Sequence, residues 1–355
     1  MKIPIEICNR ILLVGVNFKR NPGGMSSVIQ YYEPYFERLR YVATYYYTGR
    51  ISRVVFFFMA ITKIFLLLLL DRKLKIVHIH SAADGSFVRA SVVLRLCKVF
   101  RKKVILHCHA SRFKDFYSES EQKRKILNIL NGADVLVVLS NSWKKWFKSI
   151  GVDEKRIEIL NNITAYPQLF EKRKQDSKLH LLFLGLLGER KGIFDVIKSL
   201  GEHKDKFCKA LILKIGGNTH EGELMDVINK YGIGDFVKFE GWVSGEKKIE
   251  LLNWADAYIL PSYNEGLPIG ILEAMSYGCA IIASPVGGIP EVVKDGINGI
   301  IVEPGNINEI VDAILRLLDQ QELKKMSDES KNIVTDYLPD SVIGELLTLY
   351  KSLLD

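Results

Sequence analysis

Twice along the chain, apolar segments of strand length alternate with stretches of helical length, and this alternation constrains the fold more than any other feature. In the first half the apolar segments are residues 11–18, 75–80, 103–109 and 134–140. In the second half they are residues 179–185, 209–217, 236–243, 255–262, 279–288 and 299–305. Apolar strands separated by helices are typical of parallel sheets covered on both faces. The sequence therefore predicts two doubly wound, Rossmann-like α/β domains that face a cleft, where a ligand is expected.

The chain is long enough for two separate hydrophobic cores, with 355 residues. The segment 165–178 contains Pro167 and the polar run EKRKQDSK, and it is predicted to link the domains. We place an N-terminal domain at residues 1–170 and a C-terminal domain at residues 171–339. Residues 340–355 are expected to form a helix that packs back on the N-terminal domain.

The charge is divided unevenly between the two halves, although the net charge is +8. Residues 1–175 contain 31 lysines and arginines against 13 acidic residues, and the remainder contains 18 against 28. A basic N-terminal half favours phosphate ligands or an anionic membrane surface, or it is simply an uneven distribution of solubilising charge. The basic residues are scattered and no aromatic platform motif accompanies them, so no nucleic-acid partner is expected.

The cysteine pattern and the N-terminus both favour a cytoplasmic location. The five cysteines include no Cys-x-x-Cys pair, and most lie in apolar segments. Reduced core thiols are typical of cytosolic proteins. The first residues, MKIPIEICNRILLVGVNF, contain no apolar signal core followed by a small-residue cleavage site.

Residues 54–70, VVFFFMAITKIFLLLLL, are almost entirely apolar, with Lys63 as the exception. Three interpretations stay open. The segment forms a helix packed on the sheet of the basic domain, or a helix that lies in the membrane interface, or a short membrane span. With the basic N-terminal half, it favours a peripheral position on the inner face of the cell membrane.

The stretch PSYNEGLPIGILEAMSYG places Glu265 and Glu273 eight residues apart, after an apolar strand and around the start of a helix. The first amides of a helix have no intrahelical acceptor, so they can donate to ligand oxygens. Carboxylates accept well from paired hydroxyls. This arrangement suits a polyol such as a sugar, or it is a helix N-terminus with acids that its dipole favours.

Residues 255–305 resemble the donor-binding core of retaining glycosyltransferases of the GT-B fold, family 4 (glycosyl transferases group 1). The resemblance rests on Glu265 and Glu273, followed in order by Glu-Ala-Met, Pro-Val-Gly-Gly-Ile-Pro-Glu and Asp-Gly-x-x-Gly. It covers about 50 residues tightly, and the layout of the whole chain agrees with it more loosely. It implies an enzyme that transfers a sugar from a nucleoside-diphosphate sugar.

The resemblance also implies a role for each matching residue of the second half. Glu265 would contact the sugar of the donor, and Glu273 would bind the ribose hydroxyls. The sugar hydroxyls and the phosphate would meet the backbone of Gly266, Leu267, Pro268 and Ile269. Gly216 would approach the nucleotide, and the backbone near Val243 would meet the base.

The diphosphate is expected to contact a lysine in the sequence GERKG. Lys191 matches the family's lysine at this position, and its ammonium would neutralise the charge that grows on the leaving nucleotide. The family has an arginine five residues earlier, where this chain has Leu186. Arg190 is the candidate second cation.

Three residues and a glycine loop of the first half are candidates for the other wall of the site. Gly23 and Gly24 resemble the family's early glycine loop near the phosphate of the donor. His109 lies where the family often has a histidine facing the reaction centre. Ser86 and Arg89 are candidates for holding a phosphate of the acceptor.

The same residues admit rival interpretations. His78, His80, His107 and His109 form two His-x-His pairs at strand spacing, which could gather a metal ion or be core or cleft histidines; we assign no metal site. No G-x-G-x-x-G follows the first strand, so a dehydrogenase is not favoured. A UDP-sugar 2-epimerase shares the fold, but the Glu265 to Glu273 signature argues against it. A catalytically silent, membrane-attached protein that binds a sugar nucleotide is the non-enzyme alternative.

The function predicted from the sequence is therefore sugar transfer with retention to a hydroxyl of a growing glycan in surface polysaccharide biosynthesis. The expected acceptor is a glycan, in particular a polyprenyl-diphosphate-linked oligosaccharide at the cytoplasmic membrane face. The resemblance implies no cofactor, no divalent metal and no carboxylate base, because the departing phosphate would take the proton of the acceptor.

Overall fold

The structure is a computed structural model that describes residues 1–20, 23–46, 49–109, 111–169 and 177–355. Asn21 and Pro22 of the early glycine loop and residues 170–176 of the expected linker lie outside the described residues. The chain divides into two compact units. The first is Met1–Thr164 with Tyr337–Asp355, and the second is Ala165–Asp336. The chain therefore leaves and re-enters the first unit six and three residues before the boundaries drawn from the sequence.

The first unit is built on a parallel sheet with the strand order β2-β1-β3-β4-β5-β6. Its strands are β1 (Ile11–Val16), β2 (Tyr41–Tyr45), β3 (Ile76–Ser81), β4 (Lys103–Cys108), β5 (Val135–Val138) and β6 (Ile157–Ile159). Its helices are α1 (Ile5–Cys8), α2 (Gly24–Tyr32), α3 (Arg50–Leu70), α4 (Asp84–Val99), α5 (Phe113–Glu119), α6 (Lys123–Leu130) and α7 (Asn141–Ser149). Short 3₁₀ turns lie at Glu33–Tyr35 and Glu154–Arg156.

Sequence analysis did not identify β2 and β6, which are the two edge strands of this sheet. The sequence of β2, YVATY, alternates between buried and half-buried positions. A strand of this kind has one half-exposed face and no continuous apolar run. The strand β6 has three residues, which is too short for a period to be visible. The four inner strands were identified because both of their faces are covered.

The second unit is a parallel sheet with the order β12-β11-β10-β7-β8-β9. Its strands are β7 (Leu179–Leu184), β8 (Leu211–Gly216), β9 (Val237–Phe239), β10 (Ala257–Leu260), β11 (Ala280–Ala283) and β12 (Gly299–Ile301). Its helices are α8 (Ile193–Glu202), α9 (Lys204–Phe207), α10 (Glu221–Tyr231), α11 (Gly245–Trp254), α12 (Ile269–Ser276), α13 (Ile289–Val292), α14 (Ile307–Arg316) and α15 (Gln320–Ile333). Two 3₁₀ turns, Glu189–Lys191 and Val334–Tyr337, complete it, and α16 (Pro339–Leu354) returns to the first unit.

Each sheet has one place where the strand order reverses. In the first unit, β2 is added on one side of β1 and the later strands on the other side, so the strand order reverses between β1 and β3. In the second unit, the corresponding neighbours are β7 and β10. The loops after these strands diverge to opposite faces and leave a crevice at the carboxyl edge of the sheet, where doubly wound proteins bind ligands. A ligand is therefore expected to contact the loops that follow β1, β3, β7 and β10.

One face of α3 packs into the core of the first unit. Ala60, Ile64 and Leu68 are buried in the hydrophobic core, and the helix lies against β2 and α4. Among the described residues, the segment Ile51–Leu70 is the one that is long and apolar enough to cross a membrane by length and composition. Only 17% of its most apolar window is buried within the protein. One side of α3 therefore packs on the protein, and the other side is also mostly apolar although the protein does not cover it.

Candidate functional site

The loops that follow β7 and β10 bring Lys191 and Glu265 into contact. Lys191 Nζ lies 2.5 Å from Glu265 Oε1, and Ser262 Oγ donates to the same oxygen at 2.9 Å. The two charged side chains are only 15% and 7% exposed. Because charges that leave water need a partner, each side chain holds the other at the carboxyl edge of the sheet. Ser262 was not predicted as a site residue, although it lies three residues before Glu265 at the start of the same loop.

The turn that presents Lys191 depends on Gly192. This residue follows the 3₁₀ turn Glu189–Lys191 with a φ of 70° and begins α8. A Cβ atom on Gly192 would lie 2.2 Å from the carbonyl oxygen of Pro261. The two loops can therefore approach closely enough for the Lys191–Glu265 contact only with glycine at this position.

A second cation lies near the same carboxylate. Arg190 Nη1 donates to the carbonyl oxygen of Asn264 at 3.0 Å and lies 3.9 Å from Glu265 Oε1. Leu186, which replaces the arginine of the resemblance, is 46% exposed. Lys191 and Arg190 thus both border Glu265 from one turn of the chain.

Glu273 lies on α12 and is paired with a residue that sequence analysis missed. Its Oε1 accepts a hydrogen bond from Lys248 Nζ at 2.6 Å, and Glu273 is 7% exposed. Lys248 lies on α11, the helix that precedes β10. The signal in the sequence was a pair of adjacent lysines, Lys247 and Lys248, and nothing in it connected them to a glutamate 25 residues later. The ammonium of Lys248 therefore orients the carboxylate of Glu273 and offsets part of its charge.

The backbone between the two glutamates is supported by the loop after β11. Gly288 N donates to Gly266 O at 2.5 Å. Gly287 has a φ of 60°, and a Cβ atom there would lie 1.9 Å from Glu265 O. The glycine pair of the Pro-Val-Gly-Gly motif thus lets this loop lie directly against Glu265 and Gly266.

The start of α12 follows this supported backbone. Pro268 is the residue before the helix, and both Leu267 and Ile269 are buried. The first amides of a helix have no acceptor within it and carry the positive end of its dipole. Anionic or hydroxylic ligand oxygens can therefore bind at this position.

Gly216 and Val243 contact each other beside the loop after β7. Gly216 ends β8, and its carbonyl oxygen accepts from Gly185 N at 3.0 Å. A Cβ atom on Gly216 would lie 2.7 Å from Val243 Cγ2 and 2.6 Å from Leu184 Cδ2. These two residues, predicted to meet the nucleotide and the base, therefore pack against each other in the second unit, and both are buried.

Tyr258 keeps a neutral polar group near both glutamates. Burial raises the pKa of Tyr258 above its usual range, and the charges of Glu273 and Glu265 raise this pKa further. Its hydroxyl donates to Leu184 O at 2.8 Å. The phenol therefore links β10 to the end of β7 without adding a charge to the site.

In the first unit, Gly23 and Gly24 lie at the N-terminus of α2. Gly23 has a φ of 145°, a region that favours glycine, and Gly24 is the first helical residue. Both residues are exposed, and a Cβ atom on either would meet no atom of the described residues within 4 Å. This glycine pair, predicted to lie in a loop, therefore forms the start of a helix.

Ser86 and Arg89 lie on the first turns of α4, after β3. Ser86 Oγ accepts from Ala82 N at 3.1 Å, which fixes the turn between strand and helix. The guanidinium of Arg89 lies 4.6 Å from the centre of the Tyr45 ring, and burial lowers the pKa of Arg89. Both side chains therefore have contacts within the unit that hold them near the carboxyl edge of the sheet.

His109 follows β4 and belongs to a cluster of four histidines, which are His78, His80, His107 and His109. Burial lowers the pKa of His78 and of His109 to about 3 and lowers the pKa of the other two well below the usual value. All four rings are therefore neutral near pH 7. Nitrogen atoms of His78, His80 and His107 lie within 4.8 Å of one another. However, His78 Nδ1 lies 2.7 Å from Tyr350 Oη and His78 Nε2 lies 3.2 Å from His107 Nδ1, so hydrogen bonds already use both nitrogens.

Two family models match consecutive parts of the chain. The model for Glycosyltransferase Family 4 matches residues 29–164, and the model for Glycosyl transferases group 1 matches residues 167–332. The two matches meet where the chain passes from the first unit to the second.

Sequence relatives include glycosyltransferases of archaea and bacteria. An uncharacterized glycosyltransferase of Methanocaldococcus jannaschii, MJ1069, is 30% identical over 254 residues, which are 67% of this chain and 65% of the relative. The amylovoran biosynthesis glycosyltransferase AmsK of Erwinia amylovora is 24% identical over 233 residues, 63% of this chain and 57% of the relative. The matched segments thus span less than two thirds of these relatives.

Solved structures share the fold over nearly the whole chain. Sucrose-phosphate synthase from Thermosynechococcus elongatus superimposes with a TM-score of 0.79 at 18% identity and covers 97% of this chain and 98% of its own. Anabaena HepE in complex with UDP-glucose gives a TM-score of 0.74 at 17% identity, with 96% and 99% covered. Two parallel sheets, the paired family matches and these likenesses agree, and the chain belongs to the glycosyltransferases of the GT-B fold.

Proposed function

We propose that this protein transfers a sugar from a nucleoside-diphosphate sugar to a hydroxyl of a growing, lipid-linked glycan in surface polysaccharide biosynthesis, with retention at the anomeric carbon. The observation that carries the proposal is the Lys191–Glu265 contact at the strand-order reversal of the second unit. It places a cation, a carboxylate and the start of α12 around one crevice. The names of relatives such as AmsK and the UDP-glucose complex of HepE support a glycan product and a nucleotide-sugar substrate.

In the proposed reaction, the bond between the anomeric carbon and the diphosphate oxygen breaks, and the acceptor oxygen bonds to the same face of that carbon. Lys191, with Arg190 beside it, neutralises the charge that grows on the leaving diphosphate. The acceptor proton passes to the departing phosphate oxygen, so a carboxylate base is not needed. Glu265 holds the sugar and Glu273 the ribose hydroxyls, and we propose that no divalent metal takes part.

The Lys191–Glu265 pair also prepares the site for its ligand. Both side chains lose most of their contact with water, and each is costly to bury alone. A diphosphate carries more negative charge than one carboxylate, so it can compete for the ammonium of Lys191 while Glu265 turns to accept from sugar hydroxyls. The pair would therefore exchange one internal contact for two contacts to the ligand.

A thermal unfolding panel tests the donor. The full chain is heated with UDP-, GDP-, ADP- and dTDP-sugars, with and without EDTA. A ligand at about 100 times its Kd adds roughly 2.7 kcal/mol, which raises Tm by several degrees. We expect one nucleotide to raise Tm equally with and without EDTA. A shift that EDTA abolishes would refute the metal-free proposal, and no shift with any sugar nucleotide would contradict the assignment of the crevice.

Turnover separates a transferase from a silent binding protein. With the nucleotide identified, the protein is mixed with membranes that contain polyprenyl-diphosphate-linked glycans and a radiolabelled donor. We expect label in the lipid fraction, and an α-linked product from an α-linked donor by NMR. Release of nucleotide without labelled product, in every acceptor mixture, would favour the silent alternative.

The outer half of α3 supports attachment to a membrane. At 100° per residue, the inward half contains Ala60, Ile64 and Leu68, and the opposite half is apolar except for Ser52, Thr62 and the peripheral Lys63. Phe58 and Met59 are 66% and 67% exposed there. The Thr62 hydroxyl donates to the carbonyl oxygen of Phe58, so even this polar group is satisfied within the helix.

Charge and shape favour a lipid interface as the occupant of this surface. An open apolar groove of about 870 Å³ runs along it and is lined by Val55, Met59, Leu66 and Leu70. The sequence of α3 contains no acidic residue. Asp71, which follows it and also lines the groove, is paired with Arg40 at 2.5 Å, and the basic residues Arg72 and Lys73 come next. We propose that α3 lies flat in the interface of an anionic membrane on its cytoplasmic side, since its other half is packed on the protein and cannot face lipid.

Liposome flotation tests this attachment. Wild-type protein should float with vesicles that contain phosphatidylglycerol, and Phe58→Glu with Met59→Glu should abolish flotation without lowering Tm. Val99→Glu is the matched control, because Val99 is a 77% exposed valine of the same unit on α4. Equal loss in both variants, or unchanged flotation of the α3 variant, would refute the role of α3. Self-association of the wild type that the α3 variant abolishes, without flotation, would indicate a second copy instead.

A further inference from the structure

His80 and His109 form a hydrogen-bonded pair whose two members differ in exposure. His80 Nδ1 lies 2.9 Å from His109 Nε2. His80 is 3% exposed, whereas His109 lies at the end of β4 and is partly exposed. His109 is therefore the member of the pair that a ligand can reach.

The proton between these nitrogens can belong to either ring, and the surroundings of His80 decide between the two arrangements. A neutral imidazole has one N–H and one lone pair. If His109 Nε2 carries the proton, His80 must carry its own proton on Nε2. Within the described part of the chain, His80 Nε2 is buried and has no hydrogen-bond partner. That arrangement would bury an unpaired N–H, and unpaired buried donors are rarer in proteins than unpaired acceptors.

In the opposite arrangement, His80 Nδ1–H donates to the lone pair of His109 Nε2. His80 Nε2 is then a bare acceptor, which is the less costly group to leave unpaired. His109 must in turn carry its proton on Nδ1, because a neutral ring has one N–H. Burial keeps both rings neutral, since the pKa values of both lie well below 7.

Stacking on the other two histidines keeps the rings of the pair in place. The His78 and His80 rings lie 4.4 Å apart with planes at 20°, and the His107 and His109 rings lie 4.0 Å apart at 29°. Tyr350 of α16 bonds to His78 and so anchors the far end of the cluster. A rotation of His80 would therefore disturb packing on two elements.

We propose that His80 is a positioning residue that holds His109 as the tautomer with hydrogen on Nδ1, so that His109 offers the substrate a hydrogen-bond donor and not a base. The identity of the substrate rests on the proposed function, while the tautomer is a property of the folded first unit. A donor at this position suits a sugar hydroxyl or phosphate oxygen, and the proposed reaction needs no base.

Nitrogen NMR tests the tautomer without any assay of activity. The full-length protein is labelled with ¹⁵N-histidine, and long-range ¹H–¹⁵N spectra at pH 7.5 show which ring nitrogen of each histidine carries hydrogen. His109→Gln assigns the signals of His109. We expect hydrogen on Nδ1 of His109 and on Nδ1 of His80. Hydrogen on Nε2 of His109, or an average of both tautomers, would overturn the proposal.

Two substitutions of His80 separate its hydrogen bond from its bulk. The amide nitrogen of asparagine occupies the place of Nδ1, so His80→Asn should retain the His109 tautomer, whereas His80→Leu should give a mixture. With an active assay, His80→Leu should lower kcat/KM roughly three- to tenfold, the range for one lost hydrogen bond. His80→Asn should restore it, and His80→Leu with His109→Leu should be no worse than His109→Leu alone.

Three outcomes would contradict this role. Equal spectra for the leucine and asparagine variants would show that the hydrogen bond does not set the tautomer. Additive losses in the double variant would show that His80 does not act through His109. A change of the His80 and His107 signals on addition of Zn²⁺ would indicate a metal site at the cluster. If no sugar transfer is found at all, the tautomer still stands or falls by the spectra.

Discussion

Lys191 has a structural contact in the folded chain and, in the proposed function, a catalytic role as well. Its contact with Glu265 lies out of water, so each charge depends on the other as well as on a future ligand. A lysine that waits beside a carboxylate is already oriented, and it needs little rearrangement when a diphosphate arrives. Stability and turnover should therefore respond to different combinations of substitutions at these two positions.

Replacing Lys191 by methionine should leave Glu265 buried without its partner. We expect a loss of about 3–5 kcal/mol in the free energy of unfolding of the second unit and a roughly 10²–10³-fold lower kcat. Adding Glu265→Gln should restore stability, as measured by urea titration, but not turnover. Lys198→Met on α8, where the lysine side chain is 51% exposed, is the control and should change neither quantity. Recovery of turnover in the double variant would contradict a role of Lys191 in catalysis.

Glu273 should act on the ribose alone. Glu273→Gln is expected to weaken nucleoside-diphosphate binding roughly tenfold or more, because it removes hydrogen bonds to a charged acceptor. A 2′,3′-dideoxynucleoside diphosphate lacks the paired hydroxyls and should bind the wild type and the variant equally in calorimetry. Glu250→Gln on α11 is the control for a 57% exposed glutamate. A difference that persists with the dideoxy ligand would assign Glu273 another contact.

At the scale of elements, the site depends on loops that approach each other through glycine. Gly192 and Gly287 come from loops after different strands, and each lies against the backbone near the signature glutamate. Helix α12 can start where it does because the loop after β11 supports Gly266 through Gly288. The local sequence indicates a turn at each glycine, but the reason for glycine lies in a segment distant along the chain.

Gly287→Ala should therefore disrupt the site more than an ordinary glycine substitution. The added Cβ would lie 1.9 Å from Glu265 O, so one of the two loops has to move. We expect loss of nucleotide-sugar binding in the thermal shift assay and a lower Tm. Gly296→Ala isolates the backbone cost, since Gly296 has a similar φ of 70° and a Cβ there meets no described atom within 4 Å. Equal effects of the two substitutions would contradict a specific role of the Gly287 contact.

At the scale of the whole molecule, the two units differ in their buried titratable groups. The first unit encloses the four-histidine cluster, which also faces Tyr350 from α16 and Tyr32 from α2. These tyrosines remain neutral because burial raises their pKa values. The first unit therefore contains four imidazole rings that stay neutral near pH 7 while it is folded.

Mildly acidic pH should accordingly lower the free energy of unfolding of the first unit. The unfolded histidines take up protons near pH 6.5, whereas the folded pKa values of His78 and His109 are about 3. Between these values the unfolded state binds more protons than the folded state. The stability that the neutral histidines contribute is therefore fully present above about pH 6.5, and the free energy of unfolding falls as the pH drops below it. Hydrogen exchange of β3 and β4 at pH 7.5 and 5.5, corrected for intrinsic rates, measures this. His107→Gln removes one such group and should make the decline shallower; an unchanged slope would refute the attribution.

Much of this protein is determined by local sequence. Continuous apolar strands identify the inner strands of both sheets, because burial on two faces requires apolar side chains at every position. Glu265, Glu273 and the glycines between them predict the turn and the helix start of the proposed donor-binding loop, since helix starts and turns have local chemistry. The edge strands β2 and β6 of the first sheet were not visible, because β2 has one half-exposed face and β6 has only three residues.

The partners of the site residues were decided by tertiary structure alone. Lys248 of α11 meets Glu273 of α12 although 25 residues separate them, and Gly287 meets Glu265 because β10 and β11 are neighbours in the sheet. Likewise, His80 meets His109 only through the parallel register of β3 and β4. A sequence indicates what a residue can do within a turn or a strand. Which distant residue it meets depends on strand order and packing, and these are properties of the folded chain.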